Sequence, residues 1–182
     1  MTTDAFIKGK RVVLRPKRPE DAQGDYIWRI DEELAVLDAT TPLRMSFEEY
    51  EHFYLGEIRT PMNWARRFAI DTLEGRHIGN CMCYDIDTVK GEAEVGIMIG
   101  DRSYWDSGYG SEAFSTLVDY AFRTLSLQRL YLHTLDWNER ARQSFSKVGF
   151  KERKLVSRKG KKFIFMDVLR SEWEDRHGIG DG

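Results

Sequence analysis

The stretch Glu94-Val95-Gly96-Ile97-Met98-Ile99-Gly100, followed by Asp101 to Ser107 and then Gly108-Tyr109-Gly110-Ser111-Glu112-Ala113, decides the fold. Its first part reads as a strand. Its last part opens a helix in which Ala113, Phe114, Leu117, Val118, Ala121, Phe122 and Leu125 recur at helical spacing. Glycines at 108 and 110 remove Cβ atoms where a main chain must come close to a ligand. Free amides at a helix start, backed by the helix dipole, form an anion site, and phosphate is its usual occupant. A tight helix entry made by two glycines is the plainer alternative. Gly108-x-Gly110-x-x-Ala113 also matches a dinucleotide fingerprint. That loop, however, leaves its strand almost at once and is followed about 20 residues later by a ribose-binding acid. Here Asp101 to Ser107 intervene, and the next strand starts near residue 129. No Gly-Lys-Ser/Thr follows, so a Walker loop is excluded.

Upstream, Phe68-Ala69-Ile70, Ile78 to Ile86 and Val95 to Ile99 read as strands joined by short turns, one of them at Glu74-Gly75, and are therefore antiparallel. Val12-Val13-Leu14 is an earlier strand stopped by Pro16. Pro19-Glu20-Asp21 starts a helix that carries Ile27, Ile30, Leu34 and Leu37 on one face. Ser46 with Glu49 forms a capping-box pattern and opens a second helix. Downstream come a strand at Leu130-Tyr131-Leu132, a helix from about Asn138 to Val148, and a hairpin of Phe150 to Ser157 with Phe163 to Leu169. Residues 171–182 read as a short helical extension and a frayed tail.

The chain has 182 residues, 28 Lys plus Arg, 30 Asp plus Glu and 41% apolar residues, which fits one globular domain over 1–170. This composition excludes collagen-like, low-complexity and wholly disordered chains. No apolar run approaches the roughly 18 residues of a membrane span. Met1 to Phe6 carry no secretory pattern, and two cysteines, Cys81 and Cys83, are too few for a disulfide scaffold. The cytoplasm is the expected place. Cys81-x-Cys83 lacks two further ligands at zinc spacing, so no metal is expected.

The net charge of −2 hides segregation. Residues 20–57 hold eleven acids against Arg29 and Arg44, whereas residues 151–162 hold seven bases against Glu152. Such blocks read as solvated surface, or as acidic and basic walls of a cleft that concentrate the opposite charge.

The chain resembles the GNAT superfamily of acetyl-CoA-dependent N-acetyltransferases, and within it the ribosomal-protein N-acetyltransferase branch. The resemblance rests on Arg11-Val12-Val13-Leu14-Arg15-Pro16 with Glu20-Asp21-Ala22, on Ile78-Gly79, on Glu94-Val95-Gly96-Ile97, and on the loop Tyr104 to Ala113. Asn138, Lys147, Gly149 and Phe150 fall in register with the second motif, Asn-x8-Lys-x-Gly-Phe. The resemblance covers about residues 7–170. It implies an α/β (α+β) fold: a mixed, mostly antiparallel sheet of about seven strands, splayed between the fourth and fifth, and flanked by four main helices. In that arrangement main-chain groups of Ile97, Met98 and Ile99 would hold the pantetheine arm. Trp105, Asp106, Ser107, Gly108, Tyr109, Gly110 and Ser111 would form the pyrophosphate loop, with Asn138 and Arg142 as further cofactor contacts. An N-cap role for Asn138 is compatible with this.

Acetyl transfer needs a deprotonated amine, a polarised thioester and a stabilised thiolate. Glu94 is the candidate base, with an exposed strand carboxylate as the alternative. His133 is a candidate base or substrate contact, or a structural histidine. A backbone N–H near residue 96 or 97 is the natural oxyanion donor. The family's usual acid is a Tyr seven residues after the motif Asn, which here is Phe145, and a branch Ser is Ala141. Ser144 is the remaining candidate acid. The acidic block favours a cationic acceptor, either a small amine or a protein N-terminus. The basic hairpin suits the cofactor's 3′-phosphate, an acidic acceptor or a nucleic-acid-associated protein substrate, while direct nucleic-acid or membrane binding is not expected and a homodimer is allowed. A GNAT-like module that binds acyl-CoA with little or no catalysis is the alternative function, and a nucleotide-binding domain using the same loop is a third.

Overall fold

The computed structural model describes residues 6–60 and 62–179. Eight strands form one sheet in the order β1-β2-β3-β4-β5-β6-β8-β7. They are β1 (Ile7–Lys8), β2 (Val12–Arg15), β3 (Arg66–Thr72), β4 (His77–Asp87), β5 (Glu92–Ile99), β6 (Arg129–Leu135), β7 (Lys151–Arg158) and β8 (Lys161–Leu169). All neighbours are antiparallel except β5 and β6, which run parallel. The expected seven strands become eight because Ile7–Lys8 pairs with Val13 and Leu14.

The helices are α1 (Ala22–Ile30), α2 (Glu32–Leu37), α3 (Phe47–Arg59), α4 (Tyr109–Thr124), α5 (Glu139–Val148) and α6 (Arg170–His177). Six helices thus stand among the described residues where four main ones were expected. The single helix expected across Ile27 to Leu37 breaks at Asp31, which is extended and caps α2 by accepting from the Leu34 N–H at 2.9 Å. After the break Leu34 is buried, but Ile27 and Ile30 stay exposed. Ser46 and Glu49 form the expected capping box of α3. α6 is more than an extension. Its Trp173 is buried in the core against Phe122 and donates to Asp119 Oδ1 at 2.7 Å. The frayed tail expected beyond it falls, for residues 180–182, outside the described residues.

Alternation divides the sheet into two faces. Val12, Leu14, Phe68, Ile70, Ala93 and Val95 face α4, whose Ala113, Phe114, Leu117, Val118, Ala121 and Phe122 are all buried. Each large side chain among them stabilises the fold by roughly 1.5–3 kcal/mol relative to exposure. Cys81 and Cys83 lie buried in the same core as free thiols. Burial pushes the Cys83 thiol up to about 12, so it stays protonated and inert. The other face carries Arg15, Asp71, Asn80, Tyr84, Glu94 and His133, and α1 covers its β2–β4 end.

Candidate active site

The parallel ladder between β5 and β6 is short. It pairs Glu92 with Arg129, Ala93 with Leu130 and Glu94 with Tyr131, and no further. Beyond Glu94 the strands part. The Gly100 N–H donates to the Ile78 carbonyl at 3.0 Å, so even-numbered residues of β5 direct their main-chain groups to β4 and odd-numbered ones direct theirs away. Ile97 and Ile99 therefore present main-chain groups to the gap. The Ile99 carbonyl is taken by the Trp105 indole N–H at 2.7 Å. The Ile97 N–H and C=O and the Ile99 N–H are left as a strand edge that an extended, amide-bearing arm can complete.

The loop from β5 to α4 lies at the far end of this gap. Gly108 is the N-cap of α4 at φ +85°, a left-handed conformation that favours glycine. Its missing Cβ leaves room for Arg11, whose Nη2 would stand 2.8 Å from that atom. Arg11 braces the loop. Its Nη1 donates to the Ser107 carbonyl at 3.0 Å, its Nε to Glu112 at 2.9 Å, and its guanidinium lies 4.8 Å from the Tyr109 ring centre. Burial pushes the Glu112 carboxyl up, but Arg11 holds it below its ordinary value. Glu112 is thereby turned to Arg11, and the helix dipole at 108–111 is left for an anion. On the α5 side Arg140 lies 4.2 Å from the Trp105 ring centre and 3.8 Å from Asp106.

The remaining cofactor candidates divide. Asn138 caps α5, its Oδ1 accepting from the Ala141 N–H at 3.2 Å. Arg142 is held by Glu152 at 2.8 and 3.0 Å and by the Asp136 carbonyl at 2.9 Å, on the outer side of α5. Met98 belongs to the β4-facing set, and its side chain borders α1 and α2. Ser144 and Ser111 share a hydroxyl–hydroxyl hydrogen bond of 2.7 Å between α5 and α4, which joins one catalytic candidate to one loop candidate. Phe145 packs on Phe114 with ring centres 4.8 Å apart.

On the other face Glu94 and His133, named separately from sequence, come together. His133 Nδ1 lies 2.9 Å from Glu94 Oε1, and both side chains are largely buried. His133 stands two residues past Tyr131, the last paired residue of β6, at the point where the sheet opens. Tyr84 lies directly across the β4–β5 pair from Glu94. Burial, then the nearby Glu94 charge, hold the Tyr84 phenol well above its ordinary value. Sequence reasoning missed Tyr84 and Arg11. Each acts through strand register or through a residue about a hundred positions away, and nothing local marks either.

The acidic block borders this face. Within it, Arg102 from the loop reaches α2, with Nη2 2.9 Å from Asp31 and 2.7 Å from Glu33. The tip of the β7–β8 hairpin touches the same region, Lys161 donating to the Ala39 carbonyl at 2.8 Å. Among the described residues no group of three or more His, Cys, Asp or Glu side chains could hold a metal ion, and no helix is long and apolar enough to cross a membrane.

The family model of an acetyltransferase (GNAT) domain matches residues 11–151. The chain belongs to the GNAT acetyltransferase family. It is an acetyl-CoA-dependent N-acetyltransferase, with acetyl-CoA as co-substrate. An uncharacterised N-acetyltransferase p20 of Bacillus licheniformis is 31% identical over 122 residues, covering 66% of this chain and 68% of its own. The spermidine N(1)-acetyltransferase of Escherichia coli K12 is 31% identical over 144 residues, covering 76% and 72%. Among solved structures, spermidine N-acetyltransferase from Vibrio cholerae in complex with CoA and spermine has a TM-score of 0.80 at 22% identity, covering 90% of this chain and 98% of that one. That likeness shows the GNAT fold. The ribosomal-protein branch expected from sequence finds no specific support in these relatives.

Proposed function

We propose that this GNAT enzyme acetylates a primary amine of a small polycationic acceptor, with polyamines the leading class, by direct attack in a ternary complex in the cytoplasm. The observation that carries the reading is the Glu94–His133 pair at the mouth of the sheet gap, on the face bordered by the acidic helices. Acetyl-CoA lies with its pyrophosphate on the amides of 106–111 and its pantetheine along Ile97 and Ile99. The thioester is thereby carried to the point where β5 and β6 part. The Ile97 N–H points into the gap and polarises the thioester oxygen as charge develops. The Glu94–His133 pair takes the amine proton. A thiolate leaves without a strong acid, so Phe145 in the acid position is tolerated. Two similar proteins named for spermidine support the acceptor class. A protein N-terminus is the second acceptor, favoured by the branch resemblance at Arg11 to Pro16. Self-association belongs to the same reading: β7 is an open sheet edge, and a Vibrio cholerae spermidine N-acetyltransferase of the same fold is dodecameric.

The test is CoA thiol release over a panel of spermidine, spermine, an aminoglycoside and a peptide with a free N-terminus. The expected result is fastest turnover on a polyamine. Turnover confined to the peptide would move the acceptor to protein. Tight acetyl-CoA binding with no thiol release on any amine would defeat the reading. Light scattering gives the mass of the assembly, and a monomer would remove the oligomer.

A further inference from the structure

The Glu94–His133 pair contains two groups able to take a proton. Resting on the reading above, we propose that His133 Nε2 is the atom that accepts it, that Glu94 orients His133, and that Tyr84 is a positioning residue that holds Glu94.

The register puts the three side chains in line on one face. Tyr84 pairs with Glu94 across β4 and β5, Glu94 pairs with Tyr131 across β5 and β6, and His133 follows two residues on. An ionised carboxylate can only accept hydrogen bonds. The 2.9 Å contact therefore puts the imidazole proton on Nδ1 and leaves the lone pair on Nε2. His133 Nε2 makes no hydrogen bond among the described residues. The imidazole is held edge-on between Tyr131 and Phe165, with ring centres 6.1 and 5.1 Å away. Tyr84 stands directly across the strand pair from Glu94, on its other side, and burial keeps its phenol protonated. Directly after Tyr84 the β4–β5 register shifts, and Asp85 adopts φ +50°. Such a bulge re-aims side chains and is common beside active sites. The charged groups around this set are Asp85 and Asp38 near Tyr84, Asp85, Glu92 and Arg158 near Tyr131, and Arg129 and Lys154 over the Phe165 ring at 5.2 and 5.4 Å from its centre.

The acceptor arrives as an ammonium and gives one proton to His133 Nε2. Its freed lone pair attacks the thioester carbon, and the carbonyl π pair moves to oxygen. As that pair returns, the C–S bond breaks and CoA departs as thiolate. The second nitrogen proton passes to the sulfur, and the imidazolium releases its proton to water. The products are the amide, CoA thiol and one proton.

Kinetic pH profiles of the full-length enzyme with spermidine test the assignment. The acid limb of kcat/KM reports protonation of the base. Tyr84→Phe focuses the Glu94 charge on His133 and stabilises the imidazolium. The expected result is a limb moved to higher pH and kcat lowered about 10-fold, with KM for acetyl-CoA unchanged. Glu94→Gln should move the limb to lower pH, and His133→Gln should abolish it. A limb retained in His133→Gln but lost in Glu94→Gln would make Glu94 the base and overturn the proposal. An unmoved limb in Tyr84→Phe would remove Tyr84. Long-range ¹⁵N NMR of the unmodified protein gives a readout independent of turnover. The Nδ1–H tautomer of His133 is expected at neutral pH, and the Nε2–H tautomer would overturn the assignment. This readout stands even if no amine in the panel is acetylated, so failure of the function and failure of the assignment are distinguishable.

Discussion

The molecule holds two histidine–carboxylate pairs on the same face of one sheet, and they behave as opposites. His77 Nε2 lies 3.1 Å from Asp25 and His133 Nδ1 lies 2.9 Å from Glu94. The first pair is closed in by partners. Asp25 also takes Lys17 and Asn80, Arg15 spans Asp21 and Asp71, and the ring of Trp28 on α1 lies 5.0 Å from His77. Two buried side-chain atoms without a hydrogen bond among the described residues, His77 Nδ1 and Asp71 Oδ1, face each other at 3.4 Å. The second pair sits where β5 and β6 separate, and its imidazole Nε2 makes no hydrogen bond among the described residues. A polar cluster paired on nearly every side fixes a helix to a sheet; a pair at an opening in the sheet is placed to meet a substrate.

Breaking the closed cluster should have the largest effect, and on stability alone. Arg15→Met leaves Asp21 and Asp71 as buried, unpaired charges, a change that costs roughly 3–5 kcal/mol. Urea unfolding should show that loss, with kcat per folded molecule unchanged. The same cluster sets an acid limit. Burial pushes the Asp21 and Asp25 carboxyls up. Arg15 and the Arg18 amide on the first, and His77, Lys17 and Asn80 on the second, outweigh it and hold both below their ordinary values. Their contribution is full above about pH 4, where an unfolded Asp is ionised, and is lost as pH falls through the lower folded values. Thermal midpoints should therefore fall below pH 4, and less steeply in Arg15→Met.

Gly110→Asp places a carboxylate where the pyrophosphate is proposed to lie and should weaken CoA binding more than about 100-fold by calorimetry. Unchanged affinity would remove the loop from the cofactor site. Glu94→Gln touches the open pair. It should lower kcat roughly 100-fold while leaving the Kd for CoA nearly unchanged. Full activity would remove the pair from the chemistry. The smallest change is expected at Asp31→Ala, which loses the α2 cap for about 1 kcal/mol in urea unfolding and leaves Arg102 on Glu33 alone, without altering the pH profile.

The contrast between the clusters also marks how far the sequence could be read. The strands around Glu94 to Ile99 and the helix from Tyr109 were legible because hydrophobic period and glycine punctuation are local signals. Glu94 and His133 were legible as candidates, one by one. Their contact was not, because it depends on a parallel pairing of β5 with β6 across an intervening helix. Asp21 and Asp25 fall in the acidic block that reads as solvated surface, yet they are buried, since burial of a charge follows from a partner outside that block. The helix expected through Asp31 failed for a similar reason. Apolar spacing continued past a residue whose side chain caps the next helix and meets Arg102.

The most direct test is a crystal structure of the enzyme with CoA and spermidine bound together. The prediction is a CoA sulfur at the point where β5 and β6 part, and an acceptor amine within about 3 Å of the His133–Glu94 pair, directly or through one water. CoA in the groove with the amine on another surface, out of reach of both residues, would contradict the account.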